Sequence, residues 1–176
     1  CLGQGSARSC KQMVVFVTRQ DKWKAHAKAV LEANIAEIQR NSPEDRKAHR
    51  IDLQKKYYAK LMPLSYKRCF GLLGLVRKIV AQTVGLFRAI PRQVTEADMR
   101  TVVHKSCALA VQTFMLSMSE QGYDTCPLEG FDSLRVKRAL GLPQDCGINM
   151  VITCGVRTEG GVRGERYRLP FDEFYH

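Results

Sequence analysis

Two short apolar segments, one near each end of the 176-residue chain, limit the folds that this sequence can adopt. Residues 12–18 read Gln-Met-Val-Val-Phe-Val-Thr, and residues 148–154 are also mostly apolar. Such segments are typical of strands that are covered on both faces. Because two strands alone do not make a stable sheet, we expect further strands from upstream sequence, from the tail or from a second subunit.

Helical patterns begin directly after the first predicted strand. Asp21 is a candidate cap for a helix that starts near Lys22 and carries alanines at helical spacing. Ser42 as the cap and Pro43 in the first turn mark the start of a second helix, which we expect to end near Leu61. This part of the chain is therefore predicted to be almost wholly helical.

Three further helices are predicted before the second strand. Pro63 separates an apolar helix over residues 64–87 from the helix that precedes it. The four residues that begin at Thr95 resemble a capping box, and they predict a long helix that ends at Gly122. A short helix follows Asp132. Strands at the two ends with helices between them predict an α+β or α/β domain dominated by helix.

The chain is strongly basic. Its 28 lysines and arginines against 17 acidic residues give a formal net charge of +11. Such a charge favours partners that carry phosphate, such as nucleotides, nucleic acid or anionic lipid. Many of the cations lie between Arg46 and Arg92, which form either a solvated helical face or a basic module for nucleic acid or a membrane surface. The charge alone does not choose between these.

Cysteine, histidine and apolar patterns exclude several classes of protein. The seven cysteines include no CxxC pair and no zinc-site spacing, so we expect reduced, buried thiols in a cytoplasmic protein. The four histidines have no partner at the spacing of a hydrolase or metal site. Arg77 and Lys78 interrupt the longest apolar run, residues 69–87, which argues against a transmembrane segment.

Two segments carry candidate ligand-binding residues. Residues 127–130 read Pro-Leu-Glu-Gly, and the glycine would let the backbone approach a planar ligand, although a simple connection between helices is the alternative. In the tail, Arg166 and Arg168 alternate with Tyr167, so an extended strand would point both guanidinium groups to one face. Two such groups suit a phosphate monoester, and a solvated basic edge strand is the alternative.

Four motifs in the second half of the chain occur in the order found in one family of flavoproteins. They are residues 114–132, the Leu-Gly-Leu-Pro segment at 140–143, the strand at 148–155 and the Arg-Tyr-Arg-Leu-Pro segment at 166–170. Together they resemble the C-terminal half of nitroreductase-family proteins, and residues 4–17 resemble an upstream part of that family. The resemblance implies one α+β domain over residues 1–176 with a nitroreductase-like FMN-binding fold, whose central mixed or antiparallel sheet is flanked by helices.

The resemblance also implies which residues hold FMN. Seven are implied as cofactor-binding: Gln4, Pro127, Leu128, Glu129, Gly130, Arg166 and Arg168. Backbone amides of the loop around Glu129 and Gly130 would lie along the flavin near N5, and the two arginines would grip the phosphate. Gln4 stands where the family places an amide side chain against the pyrimidine edge of the flavin. No catalytic side chain and no metal are expected, because flavin N5 carries the chemistry.

The implied reaction is the reduction of FMN by NAD(P)H, followed by hydride transfer to a nitroaromatic, a quinone or a similar small electron acceptor in a ping-pong sequence. The resemblance further implies a homodimer with FMN at the subunit interface, packed through the helix from Asp98 to Gln121. No nucleic acid is expected as a partner. The alternatives are the basic binding module and an inactive, truncated member of the family.

Two features depart from the family pattern. The family's N-terminal phosphate motif and its serine-rich loop do not occur, so the chain is expected to start after roughly the first third of a typical member. Residues from about 23 to 97 are expected to form a helical insertion that covers the flavin. Five aromatic side chains are candidates for lining such a lid, with packing inside a helical hairpin as the alternative: Tyr57, Tyr58, Tyr66, Phe70 and Phe87.

Overall fold

The computed structural model describes residues 1–161, 164–165 and 167–175. Its sheet contains three strands in the spatial order β1-β3-β2: β1 (Gln12–Thr18), β2 (Asp124–Leu128) and β3 (Gly147–Gly155). Both outer strands run antiparallel to β3. The bounds of β1 match the predicted segment, and β3 extends the predicted one by a residue at each end. The α+β class is confirmed.

The described residues also form seven α-helices: α1 (Gly5–Ser9), α2 (Trp23–Asn41), α3 (Glu44–Lys56), α4 (Met62–Tyr66), α5 (Leu72–Val84), α6 (Glu96–Glu120) and α7 (Ser133–Ala139). A π-helical turn, Tyr57–Leu61, joins α3 to α4. Short 3-10 turns lie at Gln20–Lys22 and Phe171–Glu173. The elements from α2 to α5 therefore occupy the region predicted as a helical insertion.

The hydrophobic core lies along β3. Val151 and Ile152 are only 1% and 0% exposed. Leu128 of β2, which pairs with Val151, and Val111 of α6, which packs against the sheet, are buried as well. β1 is less covered than predicted, because it is an outer strand of the described sheet and most of its side chains are half-buried or exposed. The prediction that both faces of the strand are buried is therefore confirmed for β3 and wrong for β1.

β2 is a strand that the sequence does not reveal. Residues 127–130 were expected to lie in a connection between helices, yet Pro127 and Leu128 pair with Ile152 and Val151 of β3. Pro127 argued against a strand because proline lacks the N–H that donates a hydrogen bond to the neighbouring strand. It is tolerated here because β2 is at the edge of the described sheet. The third strand thus comes from within the chain.

The first two long helices begin without the predicted caps. Asp21 does not cap α2, because its carboxylate accepts a 2.6 Å hydrogen bond from Nη2 of Arg19. This bond holds the pKa of Asp21 below its usual value. Ser42 does not cap α3 either, because its hydroxyl accepts a 2.9 Å hydrogen bond from Nη1 of Arg50. Both polar side chains are used in tertiary or local pairs that spacing does not predict.

The sequence predicted that Pro63 separates two helices, and this prediction is wrong. The π-helical turn precedes this proline, and the chain stays helical through Pro63 to Tyr66. A π turn changes the hydrogen-bond register, which accommodates a residue that lacks an N–H. The break lies instead after Tyr66, where Phe70 and Gly71 have φ values of 46° and 84°. The apolar helix α5 is consequently shorter than the predicted span of residues 64–87.

α6 is the element that the sequence predicts best. The Thr95 hydroxyl accepts a 3.1 Å hydrogen bond from the Asp98 amide, and the Thr95 amide donates one of 3.0 Å to the Asp98 carboxylate. These reciprocal bonds confirm the capping box. A further 2.6 Å hydrogen bond from the Thr95 hydroxyl to the Asp98 carboxylate, together with the one from the Thr95 amide, lowers the pKa of Asp98. The helix ends two residues before Gly122, whose φ is 80°. α6 packs across all three strands of the sheet.

The tail does not form the predicted strand in its described part. Residues 164–165 and 167–170 have no assigned strand, and a 3-10 turn follows at Phe171–Glu173. Arg168 is exposed in this segment, whereas Arg166 lies outside the described residues. The alternation of Arg166 and Arg168 along a strand is therefore not seen in the described tail.

All seven cysteines are free thiols. Cys146 and Cys154 are buried as expected, but Cys69 and Cys126 are exposed, so the expectation of buried thiols is wrong for these two. Burial and desolvation raise the pKa of Cys107.

None of the helices in the described chain has both the length and the apolar character needed to cross a bilayer.

Candidate flavin site

Gln4 and Gly130 lie side by side although they are far apart in the sequence. A Cβ atom placed on Gly130 would lie 3.2 Å from Nε2 of Gln4, closer than ordinary van der Waals contact. The absence of a side chain on Gly130 therefore makes room for the amide of Gln4. The fold brings together two of the seven residues that the sequence indicates for cofactor binding.

The backbone of Gln4 is held by the start of α1. Its carbonyl accepts hydrogen bonds of 3.1 and 3.2 Å from the amides of Ala7 and Arg8, and its own amide donates a 3.0 Å bond to the Cys1 carbonyl. No hydrogen bond from the Gln4 side chain occurs among the described residues, and Gln4 is exposed. The amide is thus placed by a fixed backbone and is available to a ligand.

The loop that carries Gly130 is shorter than predicted. Leu128 belongs to β2 and is 3% exposed, so its side chain serves the core and is not available to a ligand. The loop proper starts at Glu129, whose carbonyl accepts a 3.0 Å bond from the Phe131 amide. Asp132 ends it by accepting hydrogen bonds from two amides of the first turn of α7. Pro127 and Glu129 are exposed.

Arg8 is a candidate that the sequence analysis missed. A Cβ atom on Gly3 would lie 2.8 Å from Nη2 of Arg8, so the guanidinium group rests over Gly3, next to Gln4 in the chain. Gly3 has a φ of 75°, a conformation that side-chain-bearing residues rarely adopt. The sequence feature that could have indicated Arg8 is its position one helical turn after Gln4. Arg8 therefore places a positive charge beside the backbone of Gly3, the residue before Gln4.

Of the two predicted phosphate-binding arginines, Arg168 lies in the described part of the chain. Nη1 of Arg168 donates a 2.9 Å hydrogen bond to the Tyr167 carbonyl. Among the described residues, no hydrogen bond links Arg168 to Gln4 or to the Gly130 loop. Arg166 lies outside the described residues.

A separate cleft of about 590 Å³ lies where the helical region meets the end of β1. Tyr58 and Tyr66, two of the proposed lid residues, line it together with Trp23. The rings of Trp23 and Tyr66 stack with centroids 6.1 Å apart, and burial raises the pKa of the Tyr66 hydroxyl. These two tyrosines therefore face a space large enough for a small molecule.

The other three aromatic candidates are not packed in this way. Tyr57 is about half exposed, Phe87 is 86% exposed and Phe70 is fully exposed. The alternative expectation, packing inside a helical hairpin, is wrong for Phe70 and Phe87.

Within the described chain, no cluster of three or more histidine, cysteine or acidic side chains is arranged to hold a metal ion.

A family model described as the nitroreductase family matches residues 5–156, which include the sheet, α6 and the Gly130 loop. The chain belongs to the nitroreductase family. This membership confirms the resemblance carried by the ordered motifs in the second half of the sequence. The matched range includes Gly130, the contact partner of Gln4, whereas Gln4 itself lies one residue before that range.

Two curated proteins resemble part of this nitroreductase-family chain. MhqN of Bacillus subtilis, provisionally named an NAD(P)H nitroreductase, is 40% identical over 70 residues, which are 40% of this chain and 34% of MhqN. The protein DrgA of Synechocystis sp. is 35% identical over 71 residues, with the same two shares. The matched part therefore spans about a third of the length of each relative.

Solved structures of the nitroreductase family share the fold. The protein ydfN of Bacillus subtilis, provisionally named a nitroreductase, has a TM-score of 0.63 at 21% identity, over 99% of this chain and 67% of that one. A Staphylococcus epidermidis protein, provisionally named an NAD(P)H:FMN oxidoreductase, has a TM-score of 0.60 at 19% identity, over 97% and 63%. The predicted nitroreductase-like fold is confirmed.

Proposed function

We propose that the protein is an FMN-dependent oxidoreductase that uses NAD(P)H to reduce a small electron-poor acceptor such as a nitroaromatic or a quinone. The observation that carries this proposal is the contact between Gln4 and Gly130. This contact places the side-chain amide of Gln4 beside a loop in which Gly130 has no side chain to keep a ligand away from the backbone. Membership of the nitroreductase family supports the proposal, as do the names of two similar proteins, which refer to NAD(P)H and FMN.

The chemistry of these residues fits the polar edge of a flavin. The pyrimidine ring of a flavin presents both donors and acceptors, and the amide of Gln4 offers one of each kind. The Glu129–Gly130 backbone would lie along the ring, because a glycine allows closer approach than any other residue. The Gln4 amide and the Glu129–Gly130 backbone are both held by regular structure, namely α1 on one side and β2 with α7 on the other.

When bound, FMN supplies N5 as the atom that accepts and returns hydride. The chain contributes binding and electrostatics. Arg8 places a positive charge over Gly3, the residue before Gln4 in the chain, and such a charge would stabilise the negative charge that a flavin gains on reduction. Arg166 and Arg168 are proposed to grip the phosphate, since guanidinium groups form paired hydrogen bonds with phosphate oxygens. The exposure of Arg168 leaves it available for that role.

Replacing Gln4 with alanine tests the amide contact. We expect FMN to bind about fivefold more weakly, because a hydrogen bond to a ligand contributes roughly 1 kcal/mol. The quenching of FMN fluorescence during titration measures the affinity. Gln12→Ala is the matched control, since Gln12 is an exposed glutamine at the start of β1 and is not part of the site. Equal FMN affinity of the two variants and the unaltered protein would contradict the assigned role of Gln4.

A homodimer is part of the proposal. Leu109 and Leu116 of α6 are large apolar residues that are mostly exposed in the single chain, which supports burial of this helix against a second copy. Burying such residues between subunits stabilises a dimer through the hydrophobic effect. Sedimentation of the flavin-bound protein measures its mass. We expect the mass of a dimer, and a stable flavin-bound monomer would contradict this.

A further inference from the structure

α5 turns its small residues toward the protein and its large apolar residues toward solvent. Gly74 and Ala81 are buried, and a Cβ atom on Gly74 would lie only 2.8 Å from the backbone nitrogen of Glu96. Six large apolar residues of the same helix are 37% to 61% exposed: Leu72, Leu73, Leu75, Val76, Ile79 and Val80. An ordinary surface helix has the opposite arrangement, with its apolar side against the core.

The exposed apolar area continues beyond both ends of α5. Phe70 precedes the helix and is fully exposed, and Leu86 and Phe87 follow it with exposures of 77% and 86%. Phe70 also has a φ of 46°, which is rare and unfavourable for a bulky residue. We call the six side chains of α5 together with these three the α5 surface. Large apolar patches of this kind indicate a binding surface.

The orientation of α5 is fixed by Arg77 on its inner side. Nε of Arg77 donates a 2.9 Å hydrogen bond to the Val94 carbonyl, and Nη1 donates bonds of 2.7 and 2.8 Å to the carbonyls of Leu64 and Ser65. Nη1 also lies 3.2 Å from the Lys67 carbonyl, and a charged group that binds four carbonyls resists rotation of the helix, because rotation would leave them unpaired. The outward direction of the α5 surface is therefore a built feature of the fold.

Cations predominate around the α5 surface, and the nearest acidic groups are Glu96, whose carboxylate accepts a 3.0 Å hydrogen bond from the Cys69 amide, and Asp98, whose charge interacts with Lys78. No acidic residue occurs between Asp52 and Glu96, whereas this interval contains nine lysines and arginines. Five of these cations are exposed within or next to α5: Lys67, Arg68, Lys78, Arg88 and Arg92. Two copies of such a surface would bring like charges together, which costs free energy at an interface. A surface of negative charge would instead be attracted to it.

We propose that the α5 surface docks on the anionic lipid surface of a membrane. Apolar side chains rimmed by cations are typical of helices that lie in the plane of the bilayer interface. The 13 residues of α5 would measure about 20 Å, too short for the roughly 30 Å hydrocarbon core, so the helix would lie along the surface and not cross it. The lipid phosphates would meet the cations while the apolar side chains enter the boundary of the acyl chains. This inference is independent of the proposed flavin chemistry.

Flotation with lipid vesicles tests the proposal. We expect the protein to float with vesicles of equal parts phosphatidylglycerol and phosphatidylcholine and to stay behind with vesicles of phosphatidylcholine alone. The double variant Leu75→Gln with Ile79→Gln should lower the partition coefficient about tenfold or more, because two buried apolar side chains are lost. Leu134→Gln on α7 is the matched control, since Leu134 and Leu75 are both 55% exposed. Its binding should equal that of the unaltered protein.

A charge variant tests the second half of the proposal. Lys78→Gln with Arg88→Gln should weaken binding to the anionic vesicles about fivefold for each charge removed. Absence of binding to anionic vesicles, equal binding to both vesicle types, or unchanged binding by the Leu75 and Ile79 double variant would each overturn the proposal. Loss of a dimer in that double variant, seen by sedimentation without vesicle binding by either protein, would assign the surface to a second copy. Unchanged circular dichroism shows that the variants are folded.

Discussion

Replacing Arg166 and Arg168 together with alanine is expected to weaken FMN binding at least about 100-fold. Each guanidinium contact with phosphate contributes about 1.5–3 kcal/mol, and a loss of about 3 kcal/mol corresponds to a factor above 100 in the dissociation constant. The protein would then lose its flavin during gel filtration. Flavin retained per chain, read from the visible absorbance of the protein fraction, measures the effect.

The matched control removes two arginines from another part of the surface. Arg40 and Arg46 are exposed, in α2 and α3, and their replacement with alanine changes the net charge by the same amount. We expect FMN retention close to that of the unaltered protein. Equal retention by both double variants would show that the tail arginines do not hold the phosphate, and equal loss would show a general effect of charge.

Replacing Ile152 with alanine is expected to lower the free energy of unfolding by about 3–4 kcal/mol. Ile152 has no exposed surface and lies in the central strand β3 between β1 and β2. The substitution removes buried apolar volume and leaves a cavity that neighbouring strands cannot fill without breaking their pairing. Urea unfolding followed by circular dichroism measures the change.

Ile79→Ala is the matched control for the core variant, because it makes the same change on the exposed side of α5. Ile79 is 58% exposed, so in aqueous solution we expect a change of about 0.5 kcal/mol or less. Comparable destabilisation by the two variants would mean that Ile79 is buried in solution. The difference between them therefore checks both the core at β3 and the exposure of the α5 surface.

Local sequence signals predicted the elements whose interactions are themselves local. β1 and β3 follow from short β-branched apolar segments, and the start of α6 follows from the Thr95 capping box, whose hydrogen bonds span three residues. The acid that begins α7 is a similar case. These features depend on neighbours in the chain, so their patterns are visible without the fold.

Features that depend on distant residues were missed. β2 contains Pro127 and is stabilised by its pairing with β3, which its own sequence does not announce. Two pairs between near neighbours in the chain were also missed: the side chains of Asp21 and Ser42 bind Arg19 and Arg50, so the expected caps do not form. The outward direction of α5 is set by Arg77 and by the small residues beneath it. Periodicity shows that a helix has an apolar side, but it does not show which side faces the core.

The sequence named candidate residues for the site, but it did not show how they lie relative to one another. Family motifs named Gln4 and the Gly130 loop separately, and only the folded chain shows that they touch. Arg8 was missed because its relevance comes from the way its side chain folds back over Gly3. Leu128 was assigned to the site by its motif, whereas its burial places its side chain in the core.

The visible absorbance spectrum of the protein after incubation with FMN and gel filtration tests the proposed function most directly. The expected result is a flavin spectrum that travels with the protein, that bleaches when NADH or NADPH is added without oxygen, and that returns when a quinone or a nitroaromatic compound is added. A colourless protein that takes up no FMN, or a bound flavin that neither nicotinamide reduces, would contradict the account.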